Sequence, residues 1–359
     1  MKIFQIITSF EMGGAERVAI NIARSDSQDF QYYLFEVVKG QSPYSNDLKN
    51  ELKSFNIKYY CSPFKNKKIA ICLFGLWFLI KYIKIRPNII HSHTEIPDLS
   101  LWLFRKISWI FFWIHPKYIR TIHNTELWNK WKEIGKIVEK SYIKHNSNIA
   151  ISKSTQECYT KEYGGLLPPI IYNGLEEVPQ KTFPYLKSGK INILFAGRLE
   201  YQKGINELIT VVTSLRNNNQ LFFHIVGNGS LKNKLNIALK DFPNISIYEK
   251  IYGLSHYMGS FDYLFMPSNH EGLALMPIEA SLAYTPCIIN RCPGLTETLP
   301  PNWPLAVNNN SVNDFIKILT ECTDKKQYNV LAQEAYIYAK ENFSIKKMQQ
   351  KYERVYTRL

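Results

Sequence analysis

This chain has no apolar run long enough to cross a bilayer as a helix. The run from Ile69 to Ile80 covers 12 residues and then meets Lys81 and Lys84, whereas a spanning helix takes about 20. Its six cysteines, Cys61, Cys72, Cys158, Cys287, Cys292 and Cys322, include no C-x-x-C pair and no Cys/His cluster at zinc spacing. They read as reduced structural thiols, and neither a metal nor a cofactor is expected. Acidic residues are scarce, 30 Asp and Glu against 44 Lys and Arg, for a formal charge of +14. That surface should attract nucleic acid, an anionic membrane or a phosphorylated small molecule. Zinc-finger, helix-turn-helix and RNP signatures are absent, which weighs against nucleic acid. There is no internal repeat and no low-complexity tract. The opening MKIFQIITSFEMGG carries one Lys and a short apolar stretch before Glu11; it reads as a strand rather than a signal peptide, and cytoplasmic residence is the expectation.

With 359 residues, 45% of them hydrophobic and 21% charged, the chain is globular in composition and too long for one core. Short apolar runs alternate with amphipathic stretches, the rhythm of parallel strands joined by helical crossovers. Strands are predicted at Lys2 to Thr8, Tyr32 to Val38, Asn88 to Ser92, Tyr118 to His123 and Asn148 to Ile151. The rhythm restarts at Ile191 to Ala196, Leu221 to Val226, Ile245 to Tyr248, Tyr263 to Met266 and Cys287 to Asn290. Two α/β domains follow, 1–173 and 191–343. Between them Gly174 to Lys190, with two prolines and two glycines, reads as a linker. From Ser311 onward the pattern is of successive helices, the last at about 344–359.

Four features suit chemistry. In FEMGGAER, Gly13 and Gly14 precede a helix beginning near Ala15. Such a junction lets backbone approach an anion, and serves equally as a tight turn. In ILFAGRLEYQKGINELI, Arg198 and Lys203 follow a strand, where α/β sheets bind ligands and a diphosphate needs cations; the spacing also suits a solvated charge pair. In MPSNHEGLALMPIEAS, Glu271 and Glu279 stand eight residues apart, off a common helix face. Pro277 favours a first helical turn, which puts Glu279 in that turn and Glu271 in the loop before it. Glutamate also favours that position for dipole reasons alone. Finally His91, His93 and His123 end predicted strands, where active sites of such sheets gather, although a lone histidine is more often structural. His91-x-His93 lacks a third ligand at convincing spacing.

In order, GGAER, NIIHSH, RTIHNTE, AIS, NG at Asn173 and Gly174, FAGRLEYQKG, IVGNGSLKNKL, PSNHEGLALMPIEA and PGLTE resemble family 4 of the retaining glycosyltransferases, over nearly the whole chain. The resemblance implies the GT-B fold, two Rossmann-like domains with parallel sheets facing across a cleft, acceptor on the first and nucleotide sugar on the second. It implies that Arg198 and Lys203 hold the donor diphosphate, that Glu279 meets the ribose, and that Glu271, with Gly272 and Leu273, meets the transferred sugar. His123 matches the histidine near the donor sugar, and Gly14 the glycine loop facing the cleft. Gly294 and Glu297 match a further loop. Where the family usually has Glu-Gly-Phe-Gly, this chain has Glu271-Gly272-Leu273-Ala274; where it usually has Gly-Gly, this chain has Pro293-Gly294.

The expected activity is retaining hexosyl transfer from a nucleotide sugar, UDP-linked, to a glycan or polyprenyl-diphosphate-linked acceptor in surface polysaccharide synthesis. A nucleotide-sugar epimerase of the same fold is the alternative; a basic nucleic-acid-binding protein is the remote one. Two stretches mix Trp, Phe and Tyr with Lys and Arg, Ile69 to Arg86 and Leu101 to Arg120, the composition of an interfacial helix on anionic lipid. A crossover helix is largely buried and apolar regardless, so the expectation rests on Arg105, Lys106, Trp109, Trp113 and Lys117. Peripheral attachment to the inner face of the cell membrane follows.

Overall fold

The computed structural model describes residues 1–11, 13–110, 113–129, 131–321 and 325–358. Met12 of the glycine motif, Phe111 and Phe112 of the second aromatic stretch and Cys322 lie outside the described residues; the remaining cysteines are free thiols.

The chain divides into two compact units, Met1–Gly174 with Ile345–Leu359, and Leu175–Ser344. The first runs β1 (Lys2–Ile7), α1 (Gly14–Ala23), β2 (Gln31–Glu36), α2 (Pro43–Ser54), β3 (Lys58–Tyr60), α3 (Lys67–Ile85), β4 (Ile89–His93), α4 (Glu95–Ser108), β5 (Lys117–Ile122), α5 (Lys132–Lys144), β6 (Asn148–Ala150) and α6 (Lys153–Tyr163). The second runs β7 (Ile191–Ala196), α7 (Ile205–Ser214), β8 (Leu221–Val226), α8 (Lys232–Ala238), β9 (Ile245–Tyr248), β10 (Tyr263–Met266), α9 (Leu275–Leu282), β11 (Cys287–Asn290), β12 (Ala306–Val307), α10 (Val312–Glu321) and α11 (Lys325–Asn342). The last helix, α12 (Ile345–Arg358), belongs to the first unit.

Each unit holds a sheet of six described strands, all parallel, in the orders β3-β2-β1-β4-β5-β6 and β12-β11-β10-β7-β8-β9. These are one doubly wound topology built twice. The strand order reverses between β1 and β4 in the first unit and between β7 and β10 in the second, and ligands bind outside the strand ends at such points. The strands are apolar on both faces because helices cover both; Leu221 to Val226 is buried throughout. In the first unit, one sheet face packs Val18, Ile22, Met348, Tyr352 and Tyr356 from α1 and α12. The other packs Phe74, Phe78, Tyr82 and Phe104 from α3 and α4.

Two strands escaped the sequence pattern, β3 and β12, both at sheet edges and only three and two residues long. No hydrophobic alternation can be read in so short a segment. The stretch read as a linker is packed: Leu175 donates to the Phe343 carbonyl and Phe183 is buried in the second core.

Helix α3 is less buried than a crossover helix should be. Ala70, Phe74, Phe78 and Tyr82 face the sheet, while Ile69, Leu73, Leu76 and Ile80, spaced to share the opposite face, are 51%, 40%, 61% and 68% exposed. Gly75 lies against Phe104 and Ile107 of α4, so the two helices pack side by side. Ile107, Trp109, Ile110 and Trp113 are exposed as well. Among the described residues no helix is long and apolar enough to cross a membrane.

Candidate functional site

Three loops meet at the strand ends of the second unit. After β7 the chain makes a 3-10 turn, Tyr201–Lys203, which closes on Gly204 at φ +68°. A Cβ at Gly204 would lie 1.7 Å from the Pro267 carbonyl oxygen, so only glycine lets this turn rest on the end of β10. Hydrogen bonds lace the two loops: Asn269 N to the Gln202 carbonyl at 2.8 Å, Asn269 Nδ2 to the Tyr201 carbonyl at 2.8 Å, and Gln202 Nε2 to the His270 carbonyl at 3.1 Å. Lys203 Nζ thereby donates to Glu271 Oε1 at 2.6 Å.

The third loop follows β11. Glu271 N donates to the Pro293 carbonyl at 3.1 Å and Ala274 N to the Gly294 carbonyl at 2.9 Å. Gly294 sits at φ +75°, where a Cβ would come 2.0 Å from the Glu271 carbonyl oxygen. Gly204 and Gly294 are therefore the residues that seat Lys203 and Glu271, and the glycine after Lys203 and the one after Pro293 are their signal in the sequence.

The Lys203 and Glu271 side chains are 16% and 7% exposed. A buried pair of this kind is weak evidence of stabilisation, because desolvating two charges offsets their attraction; it holds charge at a chosen place. Arg198 is exposed and donates to the Gln202 amide oxygen at 3.1 Å. Gly272 follows Glu271 half-buried, and Leu273 and Ala274 are buried. Helix α9 begins at Leu275 with Ala274 as its cap, a residue whose side chain makes no capping hydrogen bond.

One position differs from expectation. Pro277 is the third residue of α9 and lies in its first turn as expected, but Glu279 is the fifth and lies beyond that turn. Proline is tolerated throughout that turn because its N–H groups have no intrahelical partners. Burial alone pushes the Glu279 carboxyl up to about 7.

In the first unit, Gly13 is extended and Gly14 opens α1. A Cβ at Gly14 would meet nothing within 4 Å, so the backbone there faces open space. At the strand ends a cavity of about 370 Å³ is lined by Thr8, Glu16, Thr94, Glu95, Trp128 and Trp131, among others. Thr94 holds φ at +82°, a conformation L-residues rarely adopt, of the sort that gathers at functional sites. His91 and His93 do not open onto the strand ends; both are fully buried beneath the sheet's cover. His123 is the residue after β5, its Nε2 3.1 Å from His93 Nδ1, and burial pulls its imidazole down to about 3.

Residues 12–177 match the model of Glycosyltransferase Family 4, and residues 179–338 that of Glycosyl transferases group 1. The chain is 23% identical to the O-antigen biosynthesis glycosyltransferase WclY of Escherichia coli, over 100% of this chain and 99% of that one. It is 22% identical to the Escherichia coli UDP-Gal:alpha-D-GlcNAc-diphosphoundecaprenol alpha-1,3-galactosyltransferase, over 89% and 87%. The crystal structure of Anabaena HepE in complex with UDP superposes with a TM-score of 0.81 at 17% identity, covering 100% of both chains. Two doubly wound units, matched in turn by two models of one family, place this chain among the family 4 glycosyltransferases of GT-B fold.

Proposed function

We propose that the enzyme transfers a hexose from a UDP-sugar to a glycan or polyprenyl-diphosphate-linked acceptor in surface polysaccharide synthesis, with retention of configuration. The observation that carries this reading is the buried Lys203–Glu271 pair at the second unit's strand-order reversal, with Arg198 exposed five residues before Lys203. Arg198 and Lys203 neutralise the departing diphosphate, aided by the N-terminus of α9. Glu271, flanked by Gly272 and Leu273, and His123 orient the sugar; Glu279 accepts from the ribose hydroxyls; Gly14 approaches the donor through its backbone. No enzyme nucleophile is required, and a leaving-phosphate oxygen takes the acceptor proton. The UDP complex of HepE and the UDP-Gal and diphosphoundecaprenol in the name of the Escherichia coli galactosyltransferase support the donor and acceptor classes.

The exposed apolar side chains of α3 and α4, with Lys84, Lys106 and Lys117 exposed in the same stretches of chain, suit the anionic inner face of the membrane, where a lipid-linked acceptor is presented. Incubation with UDP-sugar and a polyprenyl-diphosphate glycan tests the reaction. UDP should appear only when acceptor is present, with the donor's anomeric configuration in the product. UDP release or sugar isomerisation without acceptor would instead identify an epimerase.

A further inference from the structure

Trp128, in the connection from β5 to α5, holds φ at +59°, a left-handed conformation that a bulky residue rarely adopts. Its indole is held from behind. Trp128 Nε1 donates to Glu139 Oε1 at 2.7 Å. The Glu139 carboxylate also accepts from both terminal nitrogens of the Arg120 guanidinium and from the Tyr159 hydroxyl, the latter at 2.7 Å. Arg120 in turn donates from Nη1 to Asp98 Oδ2 at 3.0 Å and from Nε to Asn148 Oδ1 at 2.8 Å. Arg120, Glu139 and Asp98 are all buried. Gly135 of α5 lies against the ring, and a Cβ there would come 2.2 Å from Trp128 Cγ. Desolvating these charges offsets their attraction; what the arrangement secures is one position for one indole.

That indole lines the cavity of about 370 Å³ at the first unit's strand ends, a volume within the ~300–1,000 Å³ of small-molecule sites. Trp131 adds a second aromatic side chain, half-buried, and Glu16 and Glu95 add two half-buried carboxylates. Glu16 stands in the first turn of α1 and folds back over Gly13, where a Cβ would come 2.1 Å from its Oε2. Thr8 and Thr94, the residues after β1 and β4, are hydrogen-bonded through their hydroxyls at 2.8 Å. Lys67 is the one cation lining the cavity among the described residues, and its Nζ stands 5.2 Å from the centre of the Trp131 ring.

We propose that this cavity is the subsite for the terminal sugar of the acceptor, an uncharged pyranose whose C–H face packs on Trp128 and Trp131 while its hydroxyls donate to Glu16 and Glu95. Indole offers a large, rigid apolar surface, and a hydroxyl bound to a carboxylate makes a charge-assisted hydrogen bond. Two carboxylates against one lysine disfavour a uronic acid or a phosphate in the same place. Arg120 and Glu139 touch no sugar and are positioning residues for Trp128. That the occupant is the acceptor rests on the functional reading above; the affinity for a neutral sugar does not.

Saturation-transfer NMR on the full chain, without nucleotide, tests the sugar site with the methyl glycosides of glucose, galactose and N-acetylglucosamine. At least one should receive saturation at its ring protons in the wild type, methyl glucuronide should receive little, and Trp131→Ala should abolish the effect. In transfer assays Trp131→Ala should raise the acceptor KM roughly tenfold or more, the loss of one stacked contact, with the UDP-sugar KM unchanged. Trp128→Phe keeps a ring but removes the donor to Glu139, and should raise the acceptor KM alone. A purely structural Trp128 would lower Tm and leave both KM values in place. Glu95→Gln, in the first turn of α4, should also raise the acceptor KM and serves if Trp128→Phe does not fold. No glycoside contact in the wild type, contact undiminished in Trp131→Ala, or folded variants with an unchanged acceptor KM would overturn the proposal. Glycoside contact that Trp131→Ala abolishes, in a protein that transfers sugar to no glycan acceptor, would keep the sugar site and remove the functional reading instead.

Discussion

At the scale of single residues, Lys203 and Glu271 have to be separated as structural and as chemical partners. Lys203→Ala removes the cation beside a buried carboxylate, at a cost of about 3–5 kcal/mol, and should lower Tm by roughly 10 °C as well as abolish transfer. The double variant Lys203→Met, Glu271→Gln carries no buried charge there and should recover most of that Tm without recovering activity. Recovery of transfer in the double variant would remove both residues from the chemistry. Glu279 makes a pH prediction whose sign is opposite to that of a paired carboxylate. Its folded value of about 7 lies above the ordinary 4.5, so the folded state keeps the proton longer. The associated stability is complete below pH 4.5 and is lost as pH rises through 7. The second unit's Tm should fall between pH 6 and pH 8, and Glu279→Gln should flatten that slope. An unchanged slope in the variant would mean that another group titrates there.

At the scale of elements, α3 and α4 present an apolar surface that the fold does not use. A helix hydrophobic all round is ordinarily buried all round, yet Leu76 and Ile80 are 61% and 68% exposed. On the membrane reading, the protein should sediment with anionic vesicles at low salt and much less with neutral ones. Leu76→Glu with Ile80→Glu should release it at unchanged Tm, because neither side chain faces the core. Equal recovery in the supernatant with and without anionic vesicles would contradict this. The sequence marked both helices as aromatic and cationic, but it directed attention to Arg105, Lys106 and Lys117 and discounted α3. Periodicity could not correct that, since the buried and exposed faces of α3 are equally apolar. By contrast the interior strands were legible nearly to the residue, because each is an apolar run bounded by loops, while β3 and β12 were too short to register.

At the scale of the whole molecule, two doubly wound sheets each gather their ligand-capable loops at one edge, and that much follows from the alternation of strands and helices. What the sequence could not display is that Lys203 and Glu271, 68 residues apart, touch. Their contact depends on β7 and β10 being neighbours in the sheet and on backbone conformations at Gly204 and Gly294 that no spacing reveals. The setting of Trp128 was still less visible, since the residues behind it come from α4, β5, α5 and α6. The central claim is that the second unit binds a nucleotide sugar through Arg198 and Lys203. Thermal unfolding across a panel of nucleotide sugars tests it most directly, because a ligand of the native state at 100 times its Kd contributes about 2.7 kcal/mol, or roughly 5–10 °C in Tm. A UDP-sugar should raise Tm by that amount in the wild type. Arg198→Ala, which removes an exposed side chain and should leave the unliganded Tm in place, should lose most of the shift. No response to any nucleotide sugar, or a full response in Arg198→Ala, would contradict the account.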